Sequence, residues 1–140
     1  MQVDTKLESP TVHYAEAGDG SRRAPLLLMG FSSTSTQYRD YMSLLGDLDQ
    51  VLAPDLPGFR LTKVTRDIAY TFDKITVVSS AWLKKLSISA HAMYIFKYGA
   101  PPGFLLALEN PSAVDAIIAQ NGNTYEEGFS KDPWAPTFNL

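Results

Sequence analysis

The sequence contains no cysteine and only two histidines among its 140 residues. The absence of cysteine excludes a disulfide framework, thiolate metal ligands and a cysteine nucleophile. Two histidines are too few for a histidine-rich metal site, so we expect no metal and no other cofactor. Twelve Lys and Arg residues against fifteen Asp and Glu residues give a net charge of −3, which argues against binding to nucleic acid.

Long apolar runs are also missing. Apolar runs such as residues 25–29 fall far short of the roughly 20 residues that a membrane span requires. Residues 1–6 show no basic region followed by an apolar stretch, and therefore no sign of a secretory signal. We expect a soluble cytoplasmic protein. Apolar residues are nevertheless plentiful, at 45%, which is enough for the core of one domain.

Apolar residues alternate between strand-like and helix-like spacing along the chain. Residues 2–7 and 11–17 alternate apolar with polar residues, as in an antiparallel hairpin with one wet face. Four short segments rich in apolar residues predict buried strands, at 25–29, 50–53, 90–96 and 114–119. Helical stripes lie between them, at 38–48, 75–86 and 103–109, and Thr71 or Asp73 would cap the second helix. The pattern predicts an α/β fold with a mostly parallel sheet, an N-terminal antiparallel hairpin and helices on both faces.

Ligands of such sheets bind outside the carboxyl ends of the strands. Four short stretches follow those ends and are therefore the first places to look for a site: Gly30-Phe31, Pro54-Asp55, Lys97-Tyr98 and Asn121–Asn123.

Four longer stretches resemble, in order and spacing, the amino-terminal half of the α/β-hydrolases, in particular haloalkane dehalogenases and epoxide hydrolases. They are LLLMGF at 26–31, APDLPGF at 53–59, YIFKYGAPPG at 94–103 and IIAQNGN at 117–123. The resemblance implies a truncated α/β-hydrolase-like core over residues 1–123, followed by a cap remnant or tail over 124–140. The third stretch resembles the nucleophile elbow, a tight turn between a buried strand and a helix.

Carried over residue by residue, the resemblance places the elbow position on Lys97 and the oxyanion-binding amides on Phe31 and Tyr98. The family uses Asp at the elbow, or Ser in esterase relatives, and Lys97 cannot form their ester intermediate. The family's catalytic His lies beyond the reach of this sequence, and where the acid is expected the chain offers only Asn121 and Asn123. Hydrolysis by the family mechanism is therefore excluded for this chain acting alone.

Two interpretations of Lys97 stay open. An amine in an apolar pocket above a helix N-terminus would tend to lose its charge and act as a general base or form a Schiff base. The amides of Phe31 and Tyr98 would then stabilise a developing oxyanion. Alternatively, Lys97 merely replaces a lost nucleophile and reaches solvent or pairs with Asp55. The expected pocket is lined by Met29, Asp55, Asn121, Asn123, Tyr125 and Trp134.

Three functions are compatible with these residues. The first is a non-hydrolytic enzyme that acts on a small apolar organic molecule by elimination, isomerisation, condensation or cyclisation. The second is a pseudoenzyme that binds a small molecule or a partner protein, and the third is half of a hydrolase that needs a second chain. Strand 114–119 would leave a bare apolar edge, which predicts a homodimer that covers it. We expect His91 to be structural and His13 to be an exposed strand residue.

Overall fold

The computed structural model describes residues 10–19, 24–64 and 68–125, and these form one five-stranded sheet. The strand order across the sheet is β1-β3-β2-β4-β5. The strands are β1 Tyr14–Ala17, β2 Leu26–Leu28, β3 Val51–Pro54, β4 His91–Phe96 and β5 Val114–Gln120. β1 pairs antiparallel with β3, and the other neighbours pair in parallel. The predicted mixed sheet is confirmed, while the first half of the predicted hairpin, residues 2–7, lies outside the described residues.

Three helices connect the parallel strands. They are α1 Arg39–Leu45, α2 Phe72–Lys85 and α3 Ala100–Glu109. Thr71 caps α2, because its side chain accepts a hydrogen bond from the Lys74 amide, and Asp73 lies in the first turn. Helices lie on both faces of the sheet, since Ile95 of β4 contacts α3 at Gly103 whereas the neighbouring Tyr94 ring packs against Tyr41 of α1.

The core lies at the centre of the sheet. Side chains of β2 and β3 are almost completely buried, as in Leu28 and Leu52, and they pack against α2 and α3. β5 is different, because every residue after Val114 is exposed. The apolar edge predicted from the sequence is therefore present at one end of the described sheet.

The helical stripe predicted over residues 38–48 is wrong in extent and in burial. Residues 35–38 form a 3₁₀ turn and α1 ends at Leu45. Tyr38 and Met42 are buried, but Tyr41, Leu44 and Leu48 are 58%, 73% and 82% exposed. The spacing identified which residues share a helix face, but it carries no information on whether another element covers that face.

Candidate functional site at the strand-to-helix bend

Lys97 occupies the tip of a sharp bend between β4 and α3. It opens a 3₁₀ turn, Lys97–Gly99, and its φ of 47° lies in the left-handed region that non-glycine residues rarely adopt. Such a conformation costs on the order of 1–3 kcal/mol and persists only where the surrounding structure imposes it. The bend is tight, because a Cβ on Gly99 would lie 2.6 Å from the carbonyl oxygen of Leu28.

The chain segment that follows β2 lies directly beside this bend. A Cβ on Gly30 would come within 2.7 Å of the Phe96 ring and 3.4 Å of the Lys97 Cβ. The rings of Phe31 and Tyr98 are 6.0 Å apart between centroids. The fold therefore brings together the three residues that the sequence singled out at the ends of β2 and β4.

Aromatic rings surround the bend on one side. Phe59 packs against Phe31 and Tyr98, with centroids 6.1 and 5.4 Å apart, and Phe72 contacts Tyr98 at 5.1 Å. Phe31 remains 69% exposed, while partial burial raises the pKa of the Tyr98 hydroxyl. Sequence reasoning missed Phe59 and Phe72. Phe59 could have been found, since it closes the APDLPGF stretch, whereas nothing local marks Phe72.

Lys97 is exposed to solvent and is not enclosed by an apolar pocket among the described residues. Its Nζ lies 5.3 Å from the centroid of the Phe96 ring, which is within the range of a cation–π contact. No ion pair joins Lys97 to a carboxylate within the described part of the chain. Of the two outcomes that the second interpretation allowed, Lys97 therefore reaches solvent and does not pair with Asp55.

Asp55 is fully buried and directly follows β3. Its Oδ1 accepts a hydrogen bond from the Ser35 amide at 2.6 Å, and its Oδ2 lies 2.9 Å from Nδ1 of His13. The Thr62 hydroxyl donates to the carbonyl oxygen of Asp55 and accepts a hydrogen bond from the His13 amide. Asp55 therefore ties three segments together, and His13 is a half-buried partner of that network rather than a simple exposed strand residue.

The remaining predicted pocket residues differ in burial and position, among those that the structure describes. Met29 is fully buried in the core. The loop at Asn121–Asn123 does lie near the bend, since a Cβ on Gly122 would come within 2.7 Å of the Ala100 Cβ. Asn123 is half-buried and its Nδ2 has no partner, whereas Asn121 and Tyr125 are exposed. Trp134, like the rest of residues 126–140, lies outside the described residues.

A separate cavity of about 740 Å³ lies at the opposite end of β4, between α2 and α3. His91 lines this cavity, is 6% exposed, and has no hydrogen-bond partner at either ring nitrogen. Burial lowers the pKa of His91, opposed by the nearby charge of Asp115. His91 is therefore a buried imidazole that is distant along β4 from the bend at Lys97.

Residues 10–19, 24–64 and 68–125 contain neither a metal-binding cluster nor a membrane span. No group of three or more His, Cys, Asp or Glu side chains in these ranges is arranged to hold a metal ion. No helix in the same ranges is both long and apolar enough to span a bilayer. The cytoplasmic location and the absence of a cofactor stay predictions.

Comparison with known proteins agrees with the geometry. No protein-family model matches the chain. The Saccharomyces cerevisiae protein named uncharacterized hydrolase YNR064C is 43% identical over 125 residues, which cover 89% of this chain and 43% of the yeast protein. A haloalkane dehalogenase of Mycolicibacterium paratuberculosis is 30% identical over 113 residues, which cover 79% of this chain and 38% of that enzyme.

Solved structures lead to the same fold. The M145A mutant of an epoxide hydrolase from Bacillus megaterium matches with a TM-score of 0.72 and 25% identity, over 81% of this chain and 39% of that one. The epoxide hydrolase CorEH matches with a TM-score of 0.78 and 21% identity, over 91% of this chain and 45% of that one. The chain is related to the α/β-hydrolases. It spans about two fifths of the length of these relatives.

Proposed function

We propose that this α/β-hydrolase relative binds a small organic molecule that has an apolar part and one anionic group. Lys97 is the cation that pairs with the anionic group. Lys97 stands at the position that the resemblance assigns to the nucleophile, and an amine there cannot form the ester of the family mechanism. The observation that carries the proposal is the combination of an exposed lysine with a left-handed backbone at the bend.

Electrostatics at the bend favour an anion. The N-terminus of α3 carries a partial positive charge, and the Lys97 ammonium adds a full one close to it. Two positive groups so close together repel one another, and a bound carboxylate would relieve that repulsion. The amides of Phe31 and Tyr98, which the resemblance assigns to oxyanion binding, would donate hydrogen bonds to the same carboxylate.

The aromatic rings beside the bend suit the apolar part of such a ligand. Phe31, Phe59 and Tyr98 contact one another and leave Phe31 largely exposed. A planar ring stacking on such a surface adds on the order of 0.5–1.5 kcal/mol beyond the buried area. An aromatic carboxylate such as benzoate or phenylacetate is therefore the simplest probe of this site.

Calorimetric titration of the full chain tests the proposal. We expect benzoate to bind more tightly than the neutral benzamide, because only the anion interacts with Lys97. Replacing Lys97 by Gln removes an exposed ion pair, for which about 0.4–1 kcal/mol corresponds to a roughly twofold to fivefold weaker affinity. Lys63→Gln is the matched control, since Lys63 is also exposed. Equal affinities for benzoate and benzamide, or no effect of Lys97→Gln, would contradict the proposal.

The elbow position itself favours a second candidate, which is catalysis without hydrolysis. In this hypothesis Lys97 acts as a general base or forms a Schiff base during elimination, isomerisation, condensation or cyclisation. The hypothesis supposes an amine enclosed by an apolar pocket, whereas Lys97 is exposed and its Nζ contacts the Phe96 ring. Borohydride reduction in the presence of small aldehydes and ketones, followed by peptide mass mapping, tests the Schiff base directly. A stable adduct at Lys97 would favour catalysis over binding alone.

A further inference from the structure

The cavity between α2 and α3 lies at the opposite end of β4 from Lys97 and takes no part in the function proposed above. Its volume of about 740 Å³ is within the range of about 300–1,000 Å³ that is typical of small-molecule sites. Its buried floor is formed by Leu83, Leu106, Ala113 and His91. The cavity therefore combines an apolar floor with one buried polar side chain, a composition that is typical of sites for small organic molecules.

His91 is the polar side chain on this floor. Burial alternates along β4, so His91 lies on the same face of the sheet as Ile95, which contacts α3 at Gly103. His91 is 6% exposed, and neither of its ring nitrogens has a hydrogen-bond partner among the residues that the structure describes. Because buried polar groups in proteins are nearly always paired, an unpaired imidazole beside a cavity indicates where a hydrogen-bonding group of a ligand would bind.

A turn of the imidazole ring can bring its nitrogens to the cavity. Both nitrogens are closed to solvent, so the exposed part of His91 consists of other atoms. A half-turn about the Cβ–Cγ bond exchanges Nδ1 with Cδ2 and Nε2 with Cε1, and it preserves the shape of the ring. It breaks no hydrogen bond to any described residue, because neither nitrogen makes one. The ring can therefore present a nitrogen to a ligand without the loss of a hydrogen bond.

The charges around the cavity favour a neutral ligand. The charged side chains of the lining are Lys84 and Glu109, which are exposed and opposite in sign. Burial lowers the pKa of His91, and the charge of Asp115 opposes this shift without reversing it. The ring is therefore neutral at pH 7, with one N–H donor and one nitrogen that accepts a hydrogen bond. A hydroxyl group is the simplest neutral group that donates to such a nitrogen.

We propose that the cavity between α2 and α3 binds a small, mainly apolar alcohol or phenol whose hydroxyl group donates a hydrogen bond to the ring of His91. The apolar part of the ligand lies against Leu83 and Leu106. A carboxylate suits the cavity less well, because it would lie near Glu109 as well as Lys84. The proposal is independent of the anion site at Lys97, since that residue does not line this cavity.

Nuclear magnetic resonance of the full chain with ¹⁵N-labelled histidine tests the proposal. The chain has only two histidines, so His13 serves as an internal reference. The probe is p-cresol, and toluene is its matched control, because toluene has the same ring and methyl group but no hydroxyl. We expect p-cresol to shift the ring nitrogens of His91 saturably and to leave those of His13 unchanged. Toluene, followed through backbone amide shifts, should bind about threefold to tenfold more weakly, which is the ratio that one net hydrogen bond provides.

Matched substitutions locate the binding site. Ser80 lines the cavity, so Ser80→Leu should fill part of it and weaken p-cresol binding by about fivefold or more. Ser43→Leu is the control, because Ser43 is an exposed residue of α1 that does not line the cavity. His91→Phe keeps an aromatic ring without nitrogens, so this variant should bind p-cresol no more tightly than toluene. Circular dichroism and urea midpoints would establish that the variants fold, and the titration of the parent chain requires no variant.

Three results would overturn the proposal. The first is a p-cresol titration in which the His91 ring nitrogens do not shift, including one whose shifts are confined to the Phe31 and Tyr98 amides at the bend. The second is equal affinity of the parent chain for p-cresol and toluene. The third is a Ser43→Leu variant that weakens binding as much as Ser80→Leu does, or a folded His91→Phe variant that still prefers p-cresol. Each of these results would leave the anion site at Lys97 untouched, because benzoate binding there is measured separately.

Discussion

Removal of the Asp55 carboxylate is expected to destabilise the protein strongly. Asp55 is completely buried and accepts hydrogen bonds from the Ser35 amide at 2.6 Å and, at 2.9 Å, from His13 when its Nδ1 is protonated. Asp55→Ala would leave the buried Ser35 amide without an acceptor, which alone costs about 1–3 kcal/mol. Loss of the contact with His13 and the space left behind add to this. We expect the free energy of unfolding to fall by about 3–5 kcal/mol in total.

Two further variants define the origin of that loss. Asp55→Asn keeps the shape and one acceptor for the Ser35 amide, so we expect it to cost about 1–2 kcal/mol. Asp40→Ala removes a carboxylate that is 82% exposed and pairs only with the exposed Arg39, and it should change stability by less than about 0.5 kcal/mol.

Urea denaturation followed by circular dichroism measures all three variants. The reasoning is refuted if Asp55→Ala costs less than about 1 kcal/mol, because a buried amide without its acceptor must cost at least that much. It is also refuted if Asp55→Asn and Asp55→Ala are equally destabilising, since the shared shape of Asn and Asp would then have no effect.

Three other predictions concern the scaffold and its pH dependence. Gly99→Ala should destabilise by about 1–3 kcal/mol, because the added Cβ would collide with the Leu28 carbonyl, and an unchanged urea midpoint would count against the tight bend. Tyr38→Phe should cost about 1–2 kcal/mol, measured in the same way, since the buried Tyr38 hydroxyl donates to that carbonyl at 2.7 Å. Burial lowers the pKa of His91 in the folded chain. The contribution of the neutral ring to the free energy of unfolding is therefore fully present above about pH 6.5 and is lost as the pH falls below that value, because the unfolded chain then binds a proton more readily than the folded chain. His91→Gln should therefore lose less stability than the parent chain between pH 7 and pH 5, and parallel pH profiles would contradict this.

Local patterns in the sequence were sufficient to predict the architecture. The four segments rich in apolar residues became β2, β3, β4 and β5, and Thr71 caps α2 as its position predicted. The bend at Lys97 followed from a motif rather than from periodicity, since a strand, small residues and a helix start must occur together there. These strands, the helix cap and the bend could be predicted because each depends on residues that are close together in the sequence.

Burial was harder to predict, because it depends on what lies opposite a side chain. Leu44 and Ile118 have the spacing of core residues, yet nothing in the described part of the chain covers them. An apolar pocket was one of the two interpretations of Lys97, and the residue is exposed. The contact between His13 and Asp55 joins residues 42 positions apart, and no local sequence pattern indicates such a pair.

The most direct test of an anion site at the bend is an amide NMR titration of the full chain with benzoate. We predict saturable shifts of the Phe31 and Tyr98 amide resonances that benzamide does not produce and that Lys97→Gln weakens. Shifts confined to other residues, or identical shifts with benzamide, would show that the lysine at this bend does not hold an anion.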